Sequence, residues 1–130
     1  MATWKQVRDY LMSEYDADYN DDTDLLDIEF SLKDGRSQIV RITTGENADK
    51  IWIHIYSRIG TVSKNDIYSL LREAQDSLTG GIVAIDDKIW YRSEIFLDDG
   101  VDLEYIKFSI QQAAIWSDDF EDKYVGGDDN

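Results

Sequence analysis

A regular alternation of apolar and polar side chains constrains the fold of this chain more than any other feature of its sequence. In the segment LLDIEFSLKDGR, residues 25–36, every second residue from Leu26 to Leu32 is apolar and the residues between them are polar. Successive side chains of a strand point to opposite faces of a sheet, so this pattern predicts a strand with one buried face. The next residues, Lys33-Asp34-Gly35, predict a turn that reverses the chain.

The length of this turn decides which residues of the two strands face each other. A two-residue turn at Asp34-Gly35 would place Glu29 opposite Val40 and mix polar with apolar side chains on one face. A three-residue loop that includes Lys33, with Gly35 in the left-handed conformation, keeps one face apolar, and we therefore predict it. The pairs that this loop predicts are Ile28 with Val40 and Leu26 with Ile42.

The segment KIWIHIYS, residues 50–57, also alternates, but between two kinds of bulky side chain. Because both faces of such a strand need cover, we predict that it is central in the sheet. The two faces carry Ile51, Ile53 and Ile55 on one side and Trp52, His54 and Tyr56 on the other.

Three segments with helical periodicity accompany the strands. The first begins near Thr3, which can form a capping box with Gln6, and the second follows Ser63 and is predicted to stop at Gly80-Gly81. The third runs from about residue 102 to residue 117. Residues 82–99, IVAIDDKIWYRSEIFLDD, predict two further strands around a tight turn.

Together these elements predict one α+β domain over residues 1–117. Its sheet is predicted to be five-stranded and mainly antiparallel, with three helices in the order αβββαββα. Residues 118–130 are rich in Asp and predict an acidic, solvated C-terminal tail.

The net charge of −15 limits the partners of the chain. Nucleic acids and anionic membrane surfaces would be repelled, so we expect neither, whereas an acidic surface attracts basic partners. The chain has no cysteine, which excludes disulfides and thiol chemistry and suits a reducing compartment. The N-terminal segment lacks the apolar region of a signal peptide, and the longest apolar run, IWIHIY, is too short to span a bilayer. We therefore expect a cytoplasmic protein.

The acidic segment DADYNDDTDLLD, residues 16–27, begins like a calcium-binding loop, with Asp16, Asp18 and Asn20 at positions one, three and five. However, Asp21 stands where such a loop needs glycine, and Asp27 belongs to a predicted strand instead of a second helix. We expect no dedicated metal site, and the acid cluster from Asp16 to Asp24 is left as a region that a cation or a basic partner could bind weakly.

Catalytic patterns are weak in this sequence. His54 is the only histidine, and the chain contains neither a G-x-S-x-G nucleophile turn nor a phosphate-binding glycine loop. Paired aspartates occur, but they stand at predicted turns and in the tail, where solvated side chains are usual. We expect no enzyme, no catalytic residue and no cofactor, with a carboxylate-based hydrolase that uses acid pairs near His54 kept as an alternative.

Two sets of aromatic and apolar side chains exceed what one core requires. Aromatic residues and arginine are typical of protein interfaces, but helices of the same chain could also cover these side chains. The candidate protein-binding residues on the sheet are Trp52, His54, Tyr56, Trp90, Arg92 and Phe96. The candidate dimer or partner surface on the third helix is Tyr105, Phe108, Ile115 and Trp116.

Several segments resemble the YbjN-like bacterial proteins, within the type III secretion chaperone-like fold. They are WKQVRDYLMSEY, FSLKDGRSQIVRI, IYSRIG, GIVAIDDKIWYRSEIFLDD with its Tyr91-Arg92 pair, and DLEYIKFSIQQAAIWSDDFED. The resemblance implies a non-enzymatic, acidic and often homodimeric protein that binds segments of other proteins. We therefore expect a chaperone-like or regulatory protein-binding module that forms a homodimer. An acidic immunity or inhibitor protein that caps a basic partner is the alternative.

Overall fold

The structure, a computed structural model, describes residues 3–77, 79–98 and 100–125. Its helices are α1 (Trp4–Glu14), α2 (Lys64–Glu73) and α3 (Leu103–Phe120). Its strands are β1 (Ala17–Asn20), β2 (Leu25–Ser31), β3 (Ser37–Asn47), β4 (Lys50–Gly60), β5 (Gly81–Ile85) and β6 (Lys88–Phe96). Short 3-10 turns occupy Lys33–Gly35 and Ala74–Asp76, and a π-helical turn, Glu121–Val125, follows α3.

The strands form one sheet in the order β1-β2-β3-β4-β6-β5, and every neighbouring pair is antiparallel. The predicted α+β class and the interior position of β4 are confirmed. The described sheet has six strands instead of five, because residues 17–20 form strand β1 beside β2. Asp18 and Asn20 gave this segment the composition of a polar connection, whereas Ala17 and Tyr19 pack against the core.

The predicted register between β2 and β3 is confirmed. Ile28 pairs with Val40 and Leu26 pairs with Ile42, across a loop in which Gly35 has a φ of 72°. The turn between β3 and β4 is tight. Both β3 and β4 continue to the two residues Ala48-Asp49, whose φ values of 56° and 62° match the type I′ turn that joins twisted strands.

All three helices lie on one face of the sheet. The capping box between Thr3 and Gln6 is present at the start of α1, and α3 packs against β3, β4 and β6. None of the helices among the described residues is long and apolar enough to cross a membrane. The core between helices and sheet includes Val7, Leu11, Leu70, Ile106 and Ile110 from the helices and Leu26, Ile28, Val40, Ile42, Ile53, Ile55 and Tyr91 from the strands.

Gly80 has a different role from the helix stop that the sequence predicted. Helix α2 ends at Glu73, before the 3-10 turn, and Gly80 lies next to strand β6. A Cβ atom at Gly80 would lie 2.6 Å from the carbonyl oxygen of Arg92 and 2.8 Å from the ring of Tyr91. Close approach of two backbones, not a helix end, therefore requires glycine at this position.

The third helix is longer than predicted, and the tail boundary at residue 118 is wrong for the described residues. Helical structure continues to Val125, and Phe120 is buried. The reason is a buried ionic cluster in which Arg36 lies 2.8 Å from Asp118 and 3.0 Å from Glu121. These two carboxylates have the composition of a solvated tail but are held by an arginine from the β2–β3 connection. Residues 126–130 lie outside the described residues.

Candidate protein-binding surface

The sheet face that points away from the helices is not covered by any described element. We call this surface the open face and define it by side chains that alternate with the core residues on β2, β3, β4 and β6. Its residues are buried only in part or exposed, in contrast to their core-facing neighbours. The open face consists of Asp27, Glu29, Ile39, Arg41, Lys50, Trp52, His54, Tyr56, Arg58, Lys88, Trp90, Arg92, Glu94 and Phe96.

The structure brings all six predicted sheet residues together on the open face. Trp52 is opposite Phe96, and their ring centroids are 5.4 Å apart. Tyr56 is opposite Arg92, and its ring meets Trp90 edge to face at 6.3 Å. The ring centroids of His54 and Tyr56 are 6.1 Å apart, so the rings of His54, Tyr56 and Trp90 contact one another in series.

Glu94, which the sequence did not single out, connects two of the predicted residues. Its Oε2 lies 3.0 Å from His54 Nδ1, the distance of an ion pair, although the geometry is not that of a hydrogen bond. Its Oε1 lies 3.1 Å from Arg92 Nε. The alternation of side chains along β6 already places Glu94 on the same face as Arg92, so the sequence could have predicted Glu94 as part of this surface.

Gly45 fixes the position of the His54 ring. A Cβ atom at Gly45 would lie 2.5 Å from His54 Nε2, so the ring occupies the space that a side chain would need. The histidine therefore rests on the backbone of β3, and its orientation depends on a glycine that no sequence motif marked.

Charge is distributed unevenly over the open face. Asp16, Asp18, Asp27 and Glu29 surround a shallow pocket of about 430 Å³ at the β1–β2 side, together with Ala17 and Ile39. Strands β4 and β6 carry the opposite sign, because Lys50, Arg58, Lys88 and Arg92 share this face with one carboxylate, Glu94.

Arg41 on β3 separates the acidic from the basic side. Its guanidinium donates two hydrogen bonds to the carboxylate of Asp27, at 2.9 and 3.0 Å. These hydrogen bonds raise the pKa of Arg41 above its usual range, and burial opposes the shift. The open face is thus acidic at β1–β2, whereas β4 and β6 carry both the aromatic rings and the basic side chains.

Two donor atoms on the basic side are buried without a partner. Arg58 Nε and Trp90 Nε1 belong to residues that face each other across β4 and β6. Within the part of the chain that the structure describes, neither atom makes a hydrogen bond. Buried donors without acceptors cost free energy, so this corner of the open face favours a partner that brings an acceptor.

Three of the four residues predicted for the surface of the third helix are exposed. Tyr105, Phe108 and Ile115 are 46%, 41% and 46% exposed and form what we call the outer stripe of α3. Trp116 does not belong to it. Its ring packs 5.5 Å from Phe120, which lies beyond the predicted end of the helix, and Trp116 closes the edge of the core.

The acidic segment 16–27 forms a β-hairpin, not the loop between two helices that binds calcium. Asn20 Oδ1 accepts hydrogen bonds from the backbone of Asp22 and Thr23, which closes the turn. Asp24 accepts hydrogen bonds from Trp4 Nε1 at 2.9 Å and from the Tyr19 hydroxyl at 2.5 Å. Among the described residues, no three His, Cys, Asp or Glu side chains are arranged to hold a metal ion.

These features define a class of fold: an antiparallel sheet that carries its helices on one face, in the order αββββαββα. The same fold occurs in the crystal structure of YbjN from E. coli, described as a candidate transcription regulator. The superposition has a TM-score of 0.56 and covers 94% of this chain and 92% of YbjN, at 14% sequence identity. The predicted YbjN-like fold is therefore confirmed. No protein-family model matches the sequence, and the comparison with curated proteins found no match.

Proposed function

We propose that this chain is a non-enzymatic, chaperone-like or regulatory module that binds protein through its open face. The observation that carries the proposal is the uncovered row of aromatic rings flanked by charges of both signs. Soluble monomers seldom leave a large apolar surface bare, and aromatic residues with arginine supply most hot spots of protein interfaces.

The exposure of the open face fits a surface that a partner covers. Ile39 is 50% exposed and Phe96 is 36% exposed, although both lie within strands. The rings beside them are already ordered by packing against one another, so binding would cost little side-chain entropy. The outer stripe of α3 is a second, separate apolar surface on the opposite side of the molecule.

The acidic pocket at β1–β2 favours a second candidate function, an inhibitor that caps a basic protein. Four carboxylates around Ile39 suit a lysine or arginine whose stem packs on the apolar floor. This function predicts tight, salt-sensitive binding to one cationic partner.

The hydrolase alternative finds less support. It needs acid pairs that converge near His54, whereas the carboxylate described next to His54 is that of Glu94, which Arg92 also holds. In this arrangement Glu94 is the charge partner of Arg92 within the open face.

The test of the proposed function is partner capture from the native cell lysate with matched surface variants. The open-face variant is Tyr56→Ala/Trp90→Ala, and the stripe variant is Phe108→Ala/Ile115→Ala. We expect the wild type and the stripe variant to capture the same protein and the open-face variant to lose it. The purified partner should also bind the purified wild-type chain. Capture that is equal for all three chains, with near-ultraviolet circular dichroism confirming that they are folded, would contradict the proposal.

A further inference from the structure

We propose that the partner for which the open face is built is a second copy of this chain, packed face to face about a two-fold axis parallel to the strands. The inference rests on the proposed function only in taking the open face as the binding surface. The family resemblance implies a homodimer but no particular surface, and the arrangement of charges on the open face assigns one.

One row of charged and aromatic side chains crosses the open face. The pairing of neighbouring strands places Asp27, Arg41, Tyr56 and Arg92 side by side, from β2 through β3 and β4 to β6. We call this set the central row. It begins with a carboxylate and ends with a guanidinium, with a cation and an aromatic ring between them.

A two-fold axis along the strands, between β3 and β4, reverses the order of strands in the second copy and turns its open face toward the first. Asp27 then faces Arg92 of the second copy, and Arg41 faces the ring of Tyr56 of the second copy. Each contact occurs twice because the interface is isologous. The central row is therefore complementary to itself, with two ion pairs and two cation–π contacts.

The size of the surface suits such an interface. Strands about 4.8 Å apart and side-chain rows about 7 Å apart give the four strands of the open face roughly 500 Å² in projection. The accessible area of a rough side-chain surface exceeds its projection, which brings it near the value of about 800 Å² per partner that is usual in stable complexes. Aligned sheets pack about 10 Å apart, which the aromatic side chains can fill.

The overall charge of the chain makes the open face the favoured place for two copies to meet. At a net charge of −15, two copies repel each other unless the facing surfaces compensate. The basic side at β4–β6 provides this compensation for the acidic side at β1–β2. The outer stripe of α3 stays free in this dimer and is available to a different protein.

Sedimentation equilibrium with charge-reversal variants tests the proposal. Arg92→Glu places a second carboxylate against Asp27 of the other copy, and Asp27→Arg places two cations together. We expect the wild type to be dimeric on the order of tens of micromolar, and each variant to dimerise roughly tenfold more weakly or worse. In a heterodimer of the two variants, the two reversed charges face each other at one contact and attract. At the other contact, the unchanged Asp27 of one copy faces the unchanged Arg92 of the other. We therefore expect the mixture to dimerise more tightly than either variant alone.

Arg72→Glu, on the exposed surface of α2, is the control for the same charge change outside the open face. A wild type that stays monomeric at these concentrations, or a mixture no more dimeric than the separate variants, would overturn the inference. If the wild type is monomeric but its captured partner is lost with the open-face variant, the proposed function stands and the second copy is the wrong occupant.

Discussion

Gly45 is the residue on which the centre of the open face depends most directly. A methyl group there would meet His54 Nε2 at 2.5 Å, so we expect Gly45→Ala to displace the histidine ring. Overpacking of this kind costs about 1–3 kcal/mol, which urea unfolding would measure, while the NMR signals of His54 would shift. Gly81→Ala is the matched control, because nothing lies within 4 Å of its Cβ position. Equal stability of the two variants would show that the ring does not rest on Gly45.

Asp24 links the stability of the β1–β2 hairpin to pH. Hydrogen bonds from Tyr19 and then Trp4 lower the pKa of this carboxyl below 3.8. Because the folded-state pKa is the lower one, the stabilisation is present in full above the unfolded pKa and is lost as the pH falls through the folded pKa. Asn tolerates the positive φ of 57° at this position, so Asp24→Asn changes mainly the charge.

We expect Asp24→Asn to lose about 1–3 kcal/mol at pH 7 and to lose less further stability in acid than the wild type does. Urea unfolding at pH 7 and in steps below pH 4 would measure both effects. Asp22→Asn, an exposed change in the same turn, serves as control. An unchanged acid dependence in Asp24→Asn would mean that another group causes it.

At the scale of elements, the end of α3 depends on one arginine from the β2–β3 connection. Arg36→Met leaves Asp118 and Glu121 buried without this cation, and we expect a loss of about 3–5 kcal/mol in urea unfolding. Lys5→Met removes a cation that pairs with Asp9 on the exposed surface of α1, outside the open face, where a loss of about 0–1 kcal/mol is expected. Similar losses in both variants would contradict the role given to the buried cluster.

The sequence predicted those elements whose determinants are local. The β2–β3 register followed from alternation and one glycine turn, and the open-face residues of β4 and β6 followed from the same period of two. The missed features depend on distant contacts. Asp118 is 82 residues from Arg36, so its burial left no local pattern. Strand β1 was missed because Asp18 and Asn20 are rare in strands, and its pairing with β2 compensates for that.

Trp116 was also misplaced by the sequence prediction, because its position depends on a contact outside the predicted helix. On a helical wheel it shares a side with the outer stripe, but Phe120, beyond the predicted end of the helix, draws it onto the core. By contrast, the six sheet residues do share one face. Alternate residues of a strand point to the same face wherever the strand ends. Their grouping on one face was predictable from sequence. The central row was not, because it depends on the register between four strands.

At the scale of the whole molecule, the fold has helices on one side of a sheet and side chains suited to a protein interface on the other. The acidic chain places Lys50, Arg58, Lys88 and Arg92 on the open face of β4 and β6, next to the aromatic rings. This asymmetry is the basis for the central claim that another protein molecule covers the open face.

The four tryptophans of the chain provide the most direct test of this claim. Trp52 and Trp90 lie on the open face, whereas Trp4 bonds to Asp24 and Trp116 bonds to Gln112 on the helix side. The indole N–H signals of a nitrogen-15-labelled sample would be followed in NMR spectra during dilution and on addition of a captured partner. We expect the signals of Trp52 and Trp90 to shift while those of Trp4 and Trp116 stay in place. Shifts confined to Trp116, or no shift where sedimentation shows association, would contradict it.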